Sequence, residues 1–233
     1  MAATPKASPK PPPKKKSSKL ERPRDAIEAL LEPANDRLDS TLVARLYKAF
    51  NRTFYEKTIA ALKTPEEARR FATRIRANRE FGPIRADLCR EALDIVDKPK
   101  HRAPAMEIIP ILFDGPPPPS GERLKGWGKQ VWVCSVGDAM SKMREIGDLP
   151  LAVRLGDLVR PHRRQLANSY HLLELAEVYA LAKRPADALA LCREALARKF
   201  TRENLLAAPG LALLRSNPEF KALVAPKARR KAG

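Results

Sequence analysis

The chain is expected to be all-α, built from antiparallel helix hairpins. Three observations carry that expectation. Apolar residues recur at three- and four-residue steps through most of the sequence, the period of a helix with one buried face. Only "KQVWVCSV", with Val131, Val133 and Val136, hints at a short strand. Near the C-terminus, helical stretches are paired across short turns, Gly147 with Asp148 in one and Lys183 to Pro185 in the other.

Residues 1–23 are mostly Pro, Lys, Ser and Ala, with almost nothing to bury, so they are expected to be a disordered tail. A helical domain is expected over 24–113. In it, "RDAIEALLE" places Ile27, Leu30 and Leu31 on one face. The longer "DSTLVARLYKAFNRTFYEKTIAALK" repeats Leu42, Leu46, Phe50, Phe54, Ile59 and Leu62, with Asp39 or Ser40 as its cap. "TPEEARRFATRIRAN" opens with Thr64 as N-cap, Pro65 in the first turn and two acids at the positive helix end, and it buries Phe71 and Ile75. "PIRADLCREALDIV" follows with Ile84, Leu88, Leu93 and Val96, then "APAMEIIPILF", an apolar run interrupted by Pro110.

Residues 114–130, "DGPPPPSGERLKGWGKQ", hold four prolines and four glycines, which exclude a regular element and mark a linker or long loop. Its Trp127 is read as a partner anchor or as a ring folded back on its own domain. Two helix pairs are expected over 131–224, and a second disordered basic tail over 225–233.

Charge and cysteine usage narrow the class further. Net charge is +18, but residues 1–24 carry +7 and residues 221–233 carry +5, leaving +6 on the 196 residues between. The positive charge therefore belongs mostly to the ends. Lys14, Lys15, Lys16 and Lys19 are possible polyanion contacts, as are Arg163 and Arg164 in "RPHRRQ". "RRFATRIRANR" adds Arg69, Arg70, Arg74, Arg76 and Arg79. No apolar run approaches the roughly 18 residues of a membrane span, and the first residues lack the apolar core of a secretory signal. Cys89, Cys134 and Cys192 are far apart and odd in number, which fits free thiols in a reducing, cytoplasmic compartment.

Chemistry leaves little mark. His101, His162 and His171 are isolated, and there is no C-x-x-C, H-E-x-x-H, phosphate-binding Gly-rich loop or G-x-S-x-G. Carboxylate pairs such as Glu66–Glu67 and Glu174–Glu177 read as helix surface. No catalytic residue, cofactor or metal is expected, and the chain is not expected to be an enzyme.

The most informative stretch is "HLLELAEVYALAKRPADALALCREALARKF", residues 171–200. Closely crossing helices need small residues where backbones meet and larger ones where the next unit packs. Leu172, Leu175, Ala176, Tyr179, Ala188, Cys192 and Ala195 have those sizes in that order. From about 169 to 202 the chain resembles a tetratricopeptide repeat. It departs from the pattern at Cys192, where the family places an aromatic, and at Phe200, where it prefers Pro. Ala152, 36 residues before Ala188, marks a degenerate upstream unit in which Met140, Met143 and Gly156 replace the usual types. "FTRENLLAAPGLALLRSNPEFKALV" resembles the segment that closes bacterial arrays of this family, through Leu205, Leu206, Pro209, Leu211, Leu214, Arg215, Ser216, Pro218, Phe220 and Leu223.

The resemblance covers about 136–224 and implies an α-solenoid. It also implies a non-enzymatic scaffold or adaptor whose groove holds a protein or peptide partner. The groove side of the best unit would include Tyr170, Leu173, Glu177 and Leu181, a set that suits no acidic C-terminus. The alternative is a nucleic-acid-associated protein that binds through its basic ends and Arg-rich helix faces.

Overall fold

In the computed structural model the chain is described over residues 22–32, 40–77, 81–114, 129–166, 170–198 and 200–226. Every regular element among them is helical. The expectations for both tails, for the Pro/Gly-rich stretch after Asp114 with its Trp127, and for an Asp39 cap lie outside the described residues.

Helix α1 (Pro23–Leu31) buries Ala26, Ile27 and Leu30, while Leu31 is only half-buried. The single long helix expected from Ser40 is two helices, α2 (Ser40–Ala49) and α3 (Arg52–Ala60). The break lies at Asn51, whose backbone is extended and whose side-chain oxygen accepts the Phe54 N–H at 3.1 Å. An Asn inside a periodic pattern looks like any exposed polar residue, yet its amide competes for backbone donors and starts a new helix. Helix α4 (Pro65–Ala77) begins as its sequence dictates. Thr64 Oγ1 accepts the Glu67 N–H at 3.1 Å, and the Glu67 carboxylate reaches back to the Lys63 N–H at 2.7 Å.

Helix α5 (Gly82–Ile95) is followed by α6 (Pro99–Phe113), which carries Pro104 and Pro110 inside it. A proline removes one backbone donor and crowds the preceding turn. Here complete burial of Ala105, Ile108, Ile109, Leu112 and Phe113 outweighs that cost. Helix α7 (Lys129–Glu145) absorbs the segment that hinted at a strand. Trp132, Val133 and Val136 are buried there at helical spacing, so packing overrides the β-preference of the valines.

Helices α8 (Leu149–Val159), α9 (Tyr170–Leu181) and α10 (Pro185–Ala197) follow, with a 3-10 segment Arg160–Gln165 after α8. The chain closes with α11 (Arg202–Ala207), a 3-10 segment Pro209–Leu214 and α12 (Pro218–Val224). Of the residues expected to cap the array, Leu205, Leu211, Leu214 and Phe220 are buried, Leu223 is half-buried and Leu206 is exposed.

The helices pack in two rows. In the first, α3 touches α5, α5 touches α7 and α7 touches α9. In the second, α4 touches α6 and α6 touches α8. The hairpins α5/α6, α7/α8 and α9/α10 join the rows, and one apolar core runs from Ala26 to Phe220. The two C-terminal hairpins turn alike. Gly147 (φ 88°) and Lys183 (φ 58°) both sit in the left-handed region, 36 residues apart. At each turn the following N–H, of Asp148 or Arg184, returns to the carbonyl of Met143 or Tyr179 at 2.9 and 2.8 Å. No helix among the described residues is long and apolar enough to cross a membrane.

Candidate functional site

The first row of helices carries a polar stripe on three successive members. On α5 it is Asp87, Arg90, Glu91 and Asp94; on α7 it is Asp138, Ser141, Lys142 and Glu145. Both sets have the spacing i, i+3, i+4, i+7, which keeps them on one helix face. Helix α9 adds His171 and Glu174. Packing of α5 on α7 and α7 on α9 brings the stripes together around two adjoining cavities of about 440 and 290 Å³, which share Arg90 and Asp94. The smaller cavity has an aromatic wall, where Phe50 stacks on Tyr55 at 4.7 Å between ring centroids. Together the cavities form one groove with seven carboxylates, those named above and Asp97, against the cations Arg90, Lys142 and His171.

A hydrogen-bonded network ties the groove wall together. His171 Nε2 lies 3.1 Å from Asp138 Oδ1, and its Nδ1 lies 3.0 Å from Glu174 Oε2. Ser141 Oγ donates to that same Glu174 oxygen at 2.6 Å. The His171 ring packs so closely on Gly137 that a Cβ there would sit 3.0 Å from it. Hydrogen bonds to Asp138 and then to Glu174 push the imidazole up to about 9, against burial. Burial raises the Glu174 carboxyl, but the hydrogen bonds from His171 and Ser141 overcome it and hold it below the usual range. Ser141 therefore faces a carboxylate, and both nitrogens of the nearby histidine are occupied.

The same network reaches the C-terminal cap. Arg144 Nη1 donates to Glu177 Oε2 at 2.7 Å, and the Gly210 N–H donates to Glu177 Oε1 at 2.8 Å. A Cβ on Gly210 would sit 2.7 Å from Glu177 Cβ and 3.2 Å from its Cα, so only glycine admits this approach.

The His171 shift has a consequence for stability. Its folded value of about 9 lies above the ordinary 6.5, so the favoured state is the protonated one. The stabilisation is fully present below pH 6.5 and is lost as pH rises through about 9. Thermal unfolding measured across that window should show Tm falling with pH, and His171→Gln should flatten the slope. An unchanged slope in the variant would remove the role given to this imidazolium.

The residues expected to matter fall into different places. Leu172, Leu175, Ala176, Tyr179, Ala188, Cys192 and Ala195 are all buried, at the contacts of α9 with its neighbours. Tyr179 also donates from its hydroxyl to Asp157 at 2.8 Å, under the guanidinium of Arg184. Gly156 sits where α8 meets α9, and a Cβ there would lie 2.8 Å from Leu175 Cδ1. The four residues read as a groove do not share an open face. Tyr170 is 64% exposed, Leu173 and Leu181 are half-buried, and Glu177 is 3% exposed. Glu177 is thus corrected from a partner contact to an internal anchor, because the cap segment covers it and takes its carboxylate. Sequence reasoning could not pair it with Gly210, 33 residues downstream.

Lys14, Lys15, Lys16 and Lys19 lie outside the described residues. Arg163 is spent on Glu194 at 2.6 Å, while Arg164 is exposed. Elsewhere on the second row, Arg69 pairs with Glu107 at 2.6 Å and Arg76 with Asp114 at 3.1 Å. Partnered guanidinium groups leave less positive potential for phosphate. Among the described residues no three His, Cys, Asp or Glu side chains are grouped to hold a metal ion.

Compared with known proteins, the chain matches no family model, no curated protein and no solved structure.

Proposed function

We propose that the chain is a non-enzymatic scaffold whose first helix row holds a segment of a partner protein. The observation that carries this reading is the groove formed by matched polar stripes on α5, α7 and α9. Its sign selects the partner: seven carboxylates against three cations favour a basic segment and repel phosphate. The groove is already shaped by the packed core, as binding sites usually are.

The tetratricopeptide-like reading of the C-terminal half is part of the same proposal. Three hydrogen bonds link residues 33 positions apart: Ser141 to Glu174, Arg144 to Glu177, and Gly210 to Glu177. With the like turns at Gly147 and Lys183, they support successive hairpins stacked in register. In such stacks the first helices of the hairpins line the binding face, and α5, α7 and α9 are those helices.

The test is affinity capture from the source cell with nuclease present. Asp94→Lys combined with Glu145→Lys reverses two exposed groove charges and should abolish capture of the partner. Arg69→Glu, on the other row, should leave it intact. Capture unaffected by the groove variant would refute the assignment.

A further inference from the structure

We propose that the groove is occupied by the chain's own Lys-rich N-terminal segment, residues 1–21, which a partner must displace. The proposal rests on the reading of the groove as a binding surface and goes beyond it by naming an occupant.

Charge is the first argument. Residues 1–21 hold six lysines and one glutamate. The groove presents the opposite net balance, seven carboxylates against three cations, although Asp97 and Glu145 pair with Lys142 and Asp138 with His171. Its aromatic wall is the second. A lysine ammonium entering the smaller cavity meets Phe50 and Tyr55 as well as Asp87 and Glu91, so ring and carboxylate attract it together.

Reach is the third argument. Helix α1 begins beside the turn between α3 and α4, where Arg24 Nη1 lies 2.7 Å from Glu67 Oε1. The smaller cavity lies at the other end of α3, at Asn51 and Tyr55. Nine helical residues separate the two ends, about 14 Å at 1.5 Å per residue. Lys14 to Lys19 precede Pro23 by four to nine residues. A fully extended chain advances at most about 3.3–3.6 Å per residue, so these lysines can reach up to roughly 13–32 Å from the helix start, enough to span that distance.

Cost is the fourth. Pro9, Pro11, Pro12 and Pro13 carry no N–H to leave unpaired and have φ already fixed, so docking them loses little entropy. The tether makes the encounter intramolecular, at an effective concentration on the order of millimolar. The basic residues after Pro226 are poorly placed by comparison. They follow α12, which packs on α10 and α11, and neither of those helices lines the groove.

The experiment uses a fluorescent peptide with the sequence of residues 5–20, titrated by anisotropy at low ionic strength. It is added to the full chain and to a full-length variant with Lys6, Lys10, Lys14, Lys15, Lys16 and Lys19 all replaced by Gln. The variant should bind the peptide at least about ten-fold more tightly, since its arm no longer competes. Adding Asp94→Lys and Glu145→Lys to that variant should abolish binding, with an unchanged circular dichroism spectrum. Equal affinity for the two full-length forms, with binding still lost in the groove variant, would overturn the occupant and leave the groove standing. Peptide binding to neither form would overturn both. Light scattering completes the test: the full chain should not change mass with concentration. Association that disappears in the Lys→Gln variant would show the arm in a second copy's groove, against the proposal.

Discussion

Glu177→Ala is expected to destabilise the fold by roughly 3–5 kcal/mol, the cost of removing one partner from a buried ion pair. The side chain is only 4% exposed and Arg144 only 19%, so the guanidinium left behind cannot recover its hydration. The Gly210 N–H loses its acceptor in the same step, which loosens the cap on α9. Glu177→Gln retains an oxygen for that N–H and should fall between wild type and the alanine variant. Urea unfolding monitored by circular dichroism reads the difference. A loss below about 1 kcal/mol would be the size of a surface pair and would contradict the anchoring role.

Ala188→Leu should cost roughly 3 kcal/mol, the upper part of the range for overpacking a filled core. Ala188 is wholly buried on α10, which packs against α9 and also touches α12. Three more carbons have nowhere to go without moving a backbone. Ala186→Leu, two residues earlier on the exposed start of the same helix, should change little. Tm values for the pair decide the register of the hairpin, because equal effects are incompatible with the crossing described.

How much of this was legible in the sequence depends on what each residue needs from distant ones. Helix α4 was fully legible, since Thr64, Pro65 and the Glu66–Glu67 pair act within one turn. The split between α2 and α3 was not, because Asn51 acts as a cap only once the chain kinks at Phe50. The helix at Val131–Val136 was ambiguous for a different reason: local preference and tertiary packing disagree there, and burial of Trp132 and Val133 settles it.

The groove was half legible. The stripes "DLCREALD" and "DAMSKMRE" are present at helical spacing, but attention to the apolar faces leaves such polar positions as ordinary solvated surface. Their meaning comes from α5 lying against α7, a contact made across the Pro/Gly-rich stretch. His171 reads as an isolated histidine for the same reason, since its partner Asp138 lies 33 residues earlier.

The central claim is that the face made by α3, α5, α7 and α9 binds a basic segment. Amide hydrogen exchange tests it most directly, using the Lys→Gln arm variant with and without saturating residue 5–20 peptide. The account predicts added protection at the turn around Asn51 and along α5 and α7, with α4, α6 and α8 unchanged. Protection confined to α4, α6 and α8, or none anywhere, would contradict it.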